Sequence, residues 1–290
     1  FSENMRQVQF TVGNLEEFLE MPALPEAAKR ADIGNTDVEL KNVHFSYTGN
    51  EKDEVLHGIH LKLPAGSFTA LVGPSGGGKS TVAKLIARFW DVTAGEITIG
   101  GVNIKDIPLA QLSETVSFVT QDNFLFRCSL LENIRLGKPD ATDEEVRAAA
   151  RAAQCETFIE KLPQGYDTPA GEAGKRLSGG EKQRIAIARM ILKDTPIVIL
   201  DEATAFTDPE NEDKIQRSLA ELTRGKTLLV IAHRLSTIQH ADNIVVLKGG
   251  RIEAEGSQEA LLAGCPLYRD MWQAHIGAKN WAVSAAKQEG

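Results

Sequence analysis

Cysteine is scarce, with three in 290 residues, at positions 128, 155 and 265. They are far apart, odd in number and never paired as Cys-x-x-Cys. That excludes a disulfide framework, argues against a zinc site and fits a reducing cytosol. No apolar run approaches the roughly 18 residues that span a bilayer, and the opening FSENMRQVQF lacks a signal-peptide pattern. A basic surplus is missing too. Asp and Glu number 40 against 32 Lys and Arg, a formal charge of −8, which disfavours a broad nucleic-acid surface. There is no internal repeat or low-complexity tract. The first residue is Phe1 rather than Met, so the chain is expected to be a piece of a longer one.

What is present is ordinary for a globular chain: 42% apolar and 25% charged residues, enough to bury a core without disulfide staples. Residues 1–20 predict a helix, because Val8, Val12, Leu15, Phe18 and Leu19 recur at three- and four-residue steps. MPALP (21–25) ends it with two prolines, and the polar stretch 26–37 reads as a linker. From Val38 the period changes to two. VELKNVHFSY, IHLKL (59–63), SFTALVG (67–73), EITIGG (96–101) and TVSFVTQ (115–121) read as strands. Segments 129–136, 143–153 and 155–162 have helical spacing, with Thr142 as an N-cap. A further helix over 180–193 precedes two nearly continuous apolar runs, IVIL (197–200) and TLLVIA (227–232), which read as parallel strands covered on both faces. NIVVL and RIEAEG form a hairpin through Gly249-Gly250.

Three motifs carry chemistry. Gly73-Pro74-Ser75-Gly76-Gly77-Gly78-Lys79-Ser80 fits G-x-x-x-x-G-K-[ST], with a strand before it and a helix, beginning at Thr81, after it. The glycines let backbone N–H groups converge on phosphate oxygens, and the helix N-terminus adds positive potential. Lys79 is expected to reach the β- and γ-phosphates, and Ser80 to ligate Mg²⁺. Ile197–Leu200 ends in Asp201-Glu202. At the carboxyl end of a parallel sheet, Asp201 would face the metal, and Glu202 would polarise an attacking water. Leu177-Ser178-Gly179-Gly180-Glu181 opens a helix and offers a second anion site. Alone, it reads better as a capped helix start.

Together, in this order, the motifs resemble the nucleotide-binding domain of an ATP-binding-cassette (ABC) transporter. Gly73–Ser80 matches its Walker A, Gln121 its Q-loop, Leu177–Glu181 its signature, Ile197–Glu202 its Walker B, His233 in IAHR its switch histidine, and Tyr47 its adenine-stacking aromatic. The resemblance implies an α/β fold: a P-loop NTPase, RecA-like core with an antiparallel β subdomain and an inserted helical subdomain at about 122–186. The domain would cover 37–276, preceded by the end of a last transmembrane helix and a linker (1–36) and followed by a flexible tail (277–290). It implies Glu202, His233 and Gln121 in catalysis. Tyr47, Gly73–Thr81, Ser178–Glu181 and Asp208 would bind ATP, and Ser80, Gln121 and Asp201 would bind Mg²⁺. It also implies a second such domain as partner, closing head to tail on two ATP molecules, and transmembrane domains at the cytoplasmic face of the cell membrane.

Thr168–Gly174, with Glu172 facing the membrane domains, and Gln121-Asp122 resemble the exporter-fold branch. The family usually reads Ser-Ala-Leu-Asp after Walker B, whereas this chain has Ala205-Phe206-Thr207-Asp208. That form is similar to exporter-fold transporters of bacterial iron–siderophore uptake, and it puts the usual hydroxyl contact across the dimer in question. The alternative is a non-transport cassette ATPase acting on DNA or ribosomes. Those insert long coiled coils or pair two cassettes, neither of which is seen here, and no nucleic-acid partner is expected.

Overall fold

Short β-branched runs build the centre of the molecule. In the computed structural model, β3 (Phe68–Val72) lies between β9 (Asn243–Lys248) and β8 (Thr227–Ile231), followed outward by β7 (Ile197–Asp201) and β6 (Val116–Val119), all parallel. β10 (Arg251–Gly256) adds an antiparallel edge beside β9. The described residues are 24–119, 124–201, 217–220, 222–232, 235–238 and 240–274, with Arg6 and Val12. The predicted helix over 1–20 and the tail from 277 onward therefore fall outside them, apart from those two residues.

Both faces of this sheet are covered, as the continuous apolar runs require. Along β7, Ile197 and Ile199 join one core cluster while Val198 and Leu200 join another. The first cluster is shared with a second, antiparallel sheet: β2 (Glu54–Leu63), β1 (Val38–Ser46), β4 (Ala94–Ile99) and β5 (Val102–Asn103), in that spatial order. Between the sheets lies α1 (Lys79–Ile86), which buries Val82, Ala83, Leu85 and Ile86. The second cluster lies under helices. α2 (Leu109–Thr115) leads into β6. Then α3 (Leu130–Arg135), α4 (Asp143–Ala152) and α5 (Glu156–Ile159) pack with α6 (Gly179–Lys193). A third cluster joins β3 and β9 to α7 (Gln258–Gly264) and the helical segment 266–274. Each fully buried Leu, Ile or Val stabilises the fold by about 1.5–3 kcal/mol relative to exposure.

Several boundaries differ from the sequence reading. β2 starts at Glu54, five residues before IHLKL, because bulges at Val55 and Gly58 interrupt the alternation. The helix read over 155–162 is one turn, Glu156–Ile159, before Pro163. Thr115 closes α2 rather than opening β6, and Gly100 and Gly101 are turn residues beyond β4. Thr142 caps α4 as expected and completes a capping box with Glu145.

The polar stretch before Val38 has no regular structure but is tied down. Ala31 donates to Gln111 Oε1 at 2.8 Å, and Gln111 Nε2 returns a bond to the Ala31 carbonyl at 2.7 Å. Thr36 and Thr227 share a hydroxyl bond. Arg88, just beyond α1, has a fully buried side chain. Its guanidinium donates to Asp91, to the Ile107 carbonyl and, at 2.6 Å, to the Pro25 carbonyl. The buried cation is thus satisfied by one carboxylate and two backbone oxygens.

Arg88→Ala is expected to destabilise by about 3 kcal/mol or more, because Asp91 and the carbonyls of Ile107 and Pro25 lose a buried donor. Thr142→Ala removes one cap and is expected to cost about 1 kcal/mol. Urea unfolding of both variants checks this ranking.

Candidate nucleotide site

β3 delivers the chain into Gly73 at the carboxyl edge of the parallel sheet. Gly73, Gly76 and Gly78 have φ of 142°, 75° and 96°, a region that side chains disfavour. Two of the glycines are also needed for space. A β-carbon at Gly73 would lie 1.9 Å from the Leu247 carbonyl oxygen, and one at Gly78 would lie 2.6 Å from Leu56 Cδ2. The loop is held by Gly77 N–H donating to the Pro74 carbonyl and Gly250 N–H donating to the Gly77 carbonyl, both at 3.2 Å. Lys79 is buried and donates to the carbonyls of Gly73 (2.9 Å) and Pro74 (3.0 Å), which puts an ammonium at the loop's centre.

The result is an open cavity of about 310 Å³ lined by Val55 and by every residue from Ser75 to Thr81. α1 points its N-terminus into it, with Gly78 as cap and no side-chain cap bond. A helix N-terminus with its dipole, together with a lysine, suits a polyphosphate. The Ser80 hydroxyl donates to Asp201 Oδ1 across 3.4 Å, bringing β7 to the loop. A hydroxyl beside a carboxylate is an oxygen donor set for a hard dication. Among the described residues no cluster of three or more His, Cys, Asp or Glu could hold a metal. A Mg²⁺ ion here would therefore depend on phosphate oxygens and water for the rest of its shell, as that ion commonly does.

Tyr47, directly after β1, is 47% exposed, and its hydroxyl shares a 3.0 Å bond with Thr81 Oγ1. Phe45 and Trp90 pack edge-on against its ring, at centroid distances of 4.8 and 5.2 Å. This fixes the ring beside the loop while part of it stays open to solvent. The structure thus brings together Tyr47, Gly73–Thr81 and Asp201.

Ser178–Glu181 behaves differently. Ser178 caps α6, Glu181 N–H donates to Ser178 Oγ at 3.3 Å, and Ser178 N–H donates to Glu181 Oε2 at 2.8 Å. Within one chain these two side chains complete a capping box, and Gly179 and Gly180 form the first helical turn. Glu172 is exposed in a short 3₁₀ turn and pairs with Lys175. Gln121, Glu202, Asp208 and His233 lie outside the described residues.

Sequence reasoning missed several contributors. Val55 reaches the cavity from a bulge, the Leu247 carbonyl walls the loop, and Gly250 N–H donates to the Gly77 carbonyl. Arg189 on α6 donates to the Phe124 carbonyl, the Asn133 carbonyl and Asn133 Oδ1, anchoring the segment that follows residue 123 to the helix that Ser178 caps. Burial lowers the Arg189 pKa. No local pattern marks these residues; a charged residue on the inner face of a helix was the one available signal. Cys155 and Cys265 are buried and Cys128 partly so, without disulfides among them. Burial pushes the Cys128 and Cys155 thiols up, away from reactivity.

A glycine-rich phosphate cradle at the end of a parallel strand, with a lysine inside it and a neighbouring strand's aspartate opposite, defines a P-loop nucleotide-binding domain. A family model described as ABC transporter matches residues 56–205, and the chain belongs to the ABC transporter family. It is 54% identical over 257 residues to the mycobactin import ATP-binding/permease protein IrtA of Mycolicibacterium smegmatis, covering 89% of this chain and 29% of that protein. It is 50% identical over 238 residues to the ATP-dependent lipid A-core flippase of Desulfotalea psychrophila, covering 82% and 41%. A solved bacterial Atm1-family ABC exporter with ATP bound superposes with a TM-score of 0.83 at 40% identity, covering 93% of this chain and 47% of that one. The chain thus spans less than half the length of these relatives. Among the described residues no helix is long and apolar enough to cross a membrane.

Gly73→Ala is expected to lose nucleotide binding and most of the fold's stability, because the new methyl would meet a backbone carbonyl. Gly76→Ala, with open space and only an unfavourable φ, is expected to cost about 1 kcal/mol. Thermal melts with and without ATP separate the two.

Proposed function

We propose that this chain is the ATP-binding and ATP-hydrolysing motor of an exporter-fold ABC transporter, working at the cytoplasmic face of the cell membrane (the inner membrane in a bacterium). The observation that carries the reading is the Ser80–Asp201 contact across the glycine cradle, which supplies phosphate donors and metal ligands together. Bound Mg²⁺ would neutralise phosphate charge, with Ser80 and Asp201 as its protein ligands and Gln121 beside them. Lys79 and the loop N–H groups would hold the β- and γ-phosphates, and Tyr47 would stack on adenine. Glu202 would polarise the attacking water and His233 would contact the γ-phosphate.

Ser178–Glu181 acts, in this reading, on the nucleotide of a second nucleotide-binding domain. Two domains close head to tail on two ATP molecules, with Asp208 at their junction. Closure drives the transmembrane domains, and hydrolysis reopens the pair. The helical subdomain, about 122–186, carries the signature and the Glu172 loop towards those domains. Ala205–Asp208, together with the similarity to a mycobactin import protein, supports an iron–siderophore as the transported substrate.

Lys79→Ala is expected to weaken ATP binding by about tenfold to a hundredfold, the loss of charge-assisted hydrogen bonds to phosphate. Unchanged affinity in a nucleotide titration would remove Lys79 from the site. Glu202→Gln is expected to bind Mg-ATP, lose nearly all turnover and dimerise. Light scattering should then show dimers with Mg-ATP and monomers with ADP, and full steady-state hydrolysis would overturn the role of Glu202.

A further inference from the structure

The antiparallel sheet holds a side-chain cluster that none of these roles uses. Glu54, the first residue of β2, accepts from His44 Nδ1 through Oε1 at 2.8 Å and from His57 Nδ1 through Oε2 at 2.6 Å. All three side chains are partly buried, with exposures of 21%, 33% and 30%. An ionised carboxylate only accepts, so it fixes both imidazoles with a proton on Nδ1. The hydrogen bond from His57 holds the Glu54 carboxyl below its ordinary range.

The cluster spans a bulge. His44 pairs with His57 and Phe45 with Leu56, but Ser46 pairs with Glu54, which leaves Val55 without a cross-strand partner. A bulge re-aims its side chain and is common beside functional sites. Here the extra residue is Val55, which among the described residues is the one lining the phosphate cavity from outside Ser75–Thr81. Leu56 seats against Gly78. The main chain of His57 is joined to the loop by a relay: His57 N–H donates to the Gly250 carbonyl at 2.9 Å, and Gly250 N–H donates to the Gly77 carbonyl at 3.2 Å. Gly250 is confined as well, since a β-carbon there would lie 2.1 Å from the Val55 carbonyl oxygen and 2.9 Å from His57 Cδ2. On the opposite strand Ser46, the partner of Glu54, directly precedes Tyr47. One carboxylate thus closes the bulge between the residue that lines the phosphate cavity and the strand end that carries the aromatic ring.

We propose that Glu54 is a positioning residue for nucleotide binding: by clamping His44 and His57 it fixes the Val55 bulge against the phosphate loop and sets the affinity for ATP. The inference rests on the reading of the cavity as an ATP site. Glu54 touches no phosphate, so its removal acts on binding geometry rather than on chemistry. Glu54→Ala leaves two Nδ1–H groups without their acceptor and the bulge unclosed. In Glu54→Gln the amide oxygen still accepts from one imidazole while the amide N–H donates to the other in its alternative tautomer, so the clamp survives without charge.

The test measures ATP affinity and steady-state hydrolysis of the 290-residue chain. Glu54→Ala is expected to raise both the Kd and the KM for ATP about fivefold to tenfold, the scale of one or two net hydrogen bonds, with kcat changed less than threefold. Glu54→Gln is expected to restore both constants to within about twofold of the parent. His57→Phe, which keeps a ring but drops the donor, should reproduce the Ala effect and should add little to it in the double variant. His57→Phe also serves where Glu54→Ala fails to fold. Parental affinity in Glu54→Ala or in a folded His57→Phe overturns the proposal, as does a Gln variant as impaired as Ala. If the parent chain itself does not bind ATP, the reading of the cavity fails instead.

Discussion

The phosphate loop can close because nothing stands between it and the carbonyl of Leu247. That oxygen occupies the space where a side chain at Gly73 would project, and it crowds the position at Gly77. It belongs to β9, which pairs with β3 only because the central sheet forms as it does. The loop's conformation is thus imposed by a neighbouring strand that is far away in the chain. The glycines are necessary because they leave room, and β9 then supplies the wall. Lys79, held by two loop carbonyls, and α1, aimed at the same space, follow from this single close approach.

Around that point the molecule is organised as layers that reach the cavity from different sides. β7 brings Asp201 to Ser80. The antiparallel sheet brings Val55 and the braced ring of Tyr47. At the far end of α1, buried Arg88 ties the helix to Pro25 and Ile107. Both ends of α1 are therefore anchored to other layers, so a shift of the loop is resisted by the sheets on either side. The helical layer is different. Ser178 and Glu181 satisfy each other's backbone N–H groups within α6.

Much of this was legible in the residues. The apolar runs 197–200 and 227–232, bounded by polar turns, gave parallel strands because a strand buried on both faces cannot alternate. The glycine-rich run, the strand before it and the helix after it located the cradle. Thr142 and Glu145 announced the start of α4. The boundaries failed where tertiary contacts overrode the pattern. β2 was read five residues short because two bulges break its period, and 155–162 was overextended because Pro163 and the turns around it outweigh helical spacing. Val55, Leu247 and Gly250 were invisible because their roles depend on partners distant in the chain.

The sequence by itself determined the chemistry on offer: a phosphate-directed lysine, a hydroxyl, a carboxylate ending an apolar strand, and glycines where a backbone must turn through conformations that other residues avoid. Such features are local, set by residue type and a few neighbours. Only the tertiary structure decided which of them share a space. Ser80 meets Asp201 across 121 positions, Tyr47 reaches Thr81, and Glu54 closes a bulge on His44 and His57. Sheet order and register made those meetings, because they place strand ends that are far apart in the chain side by side at one edge.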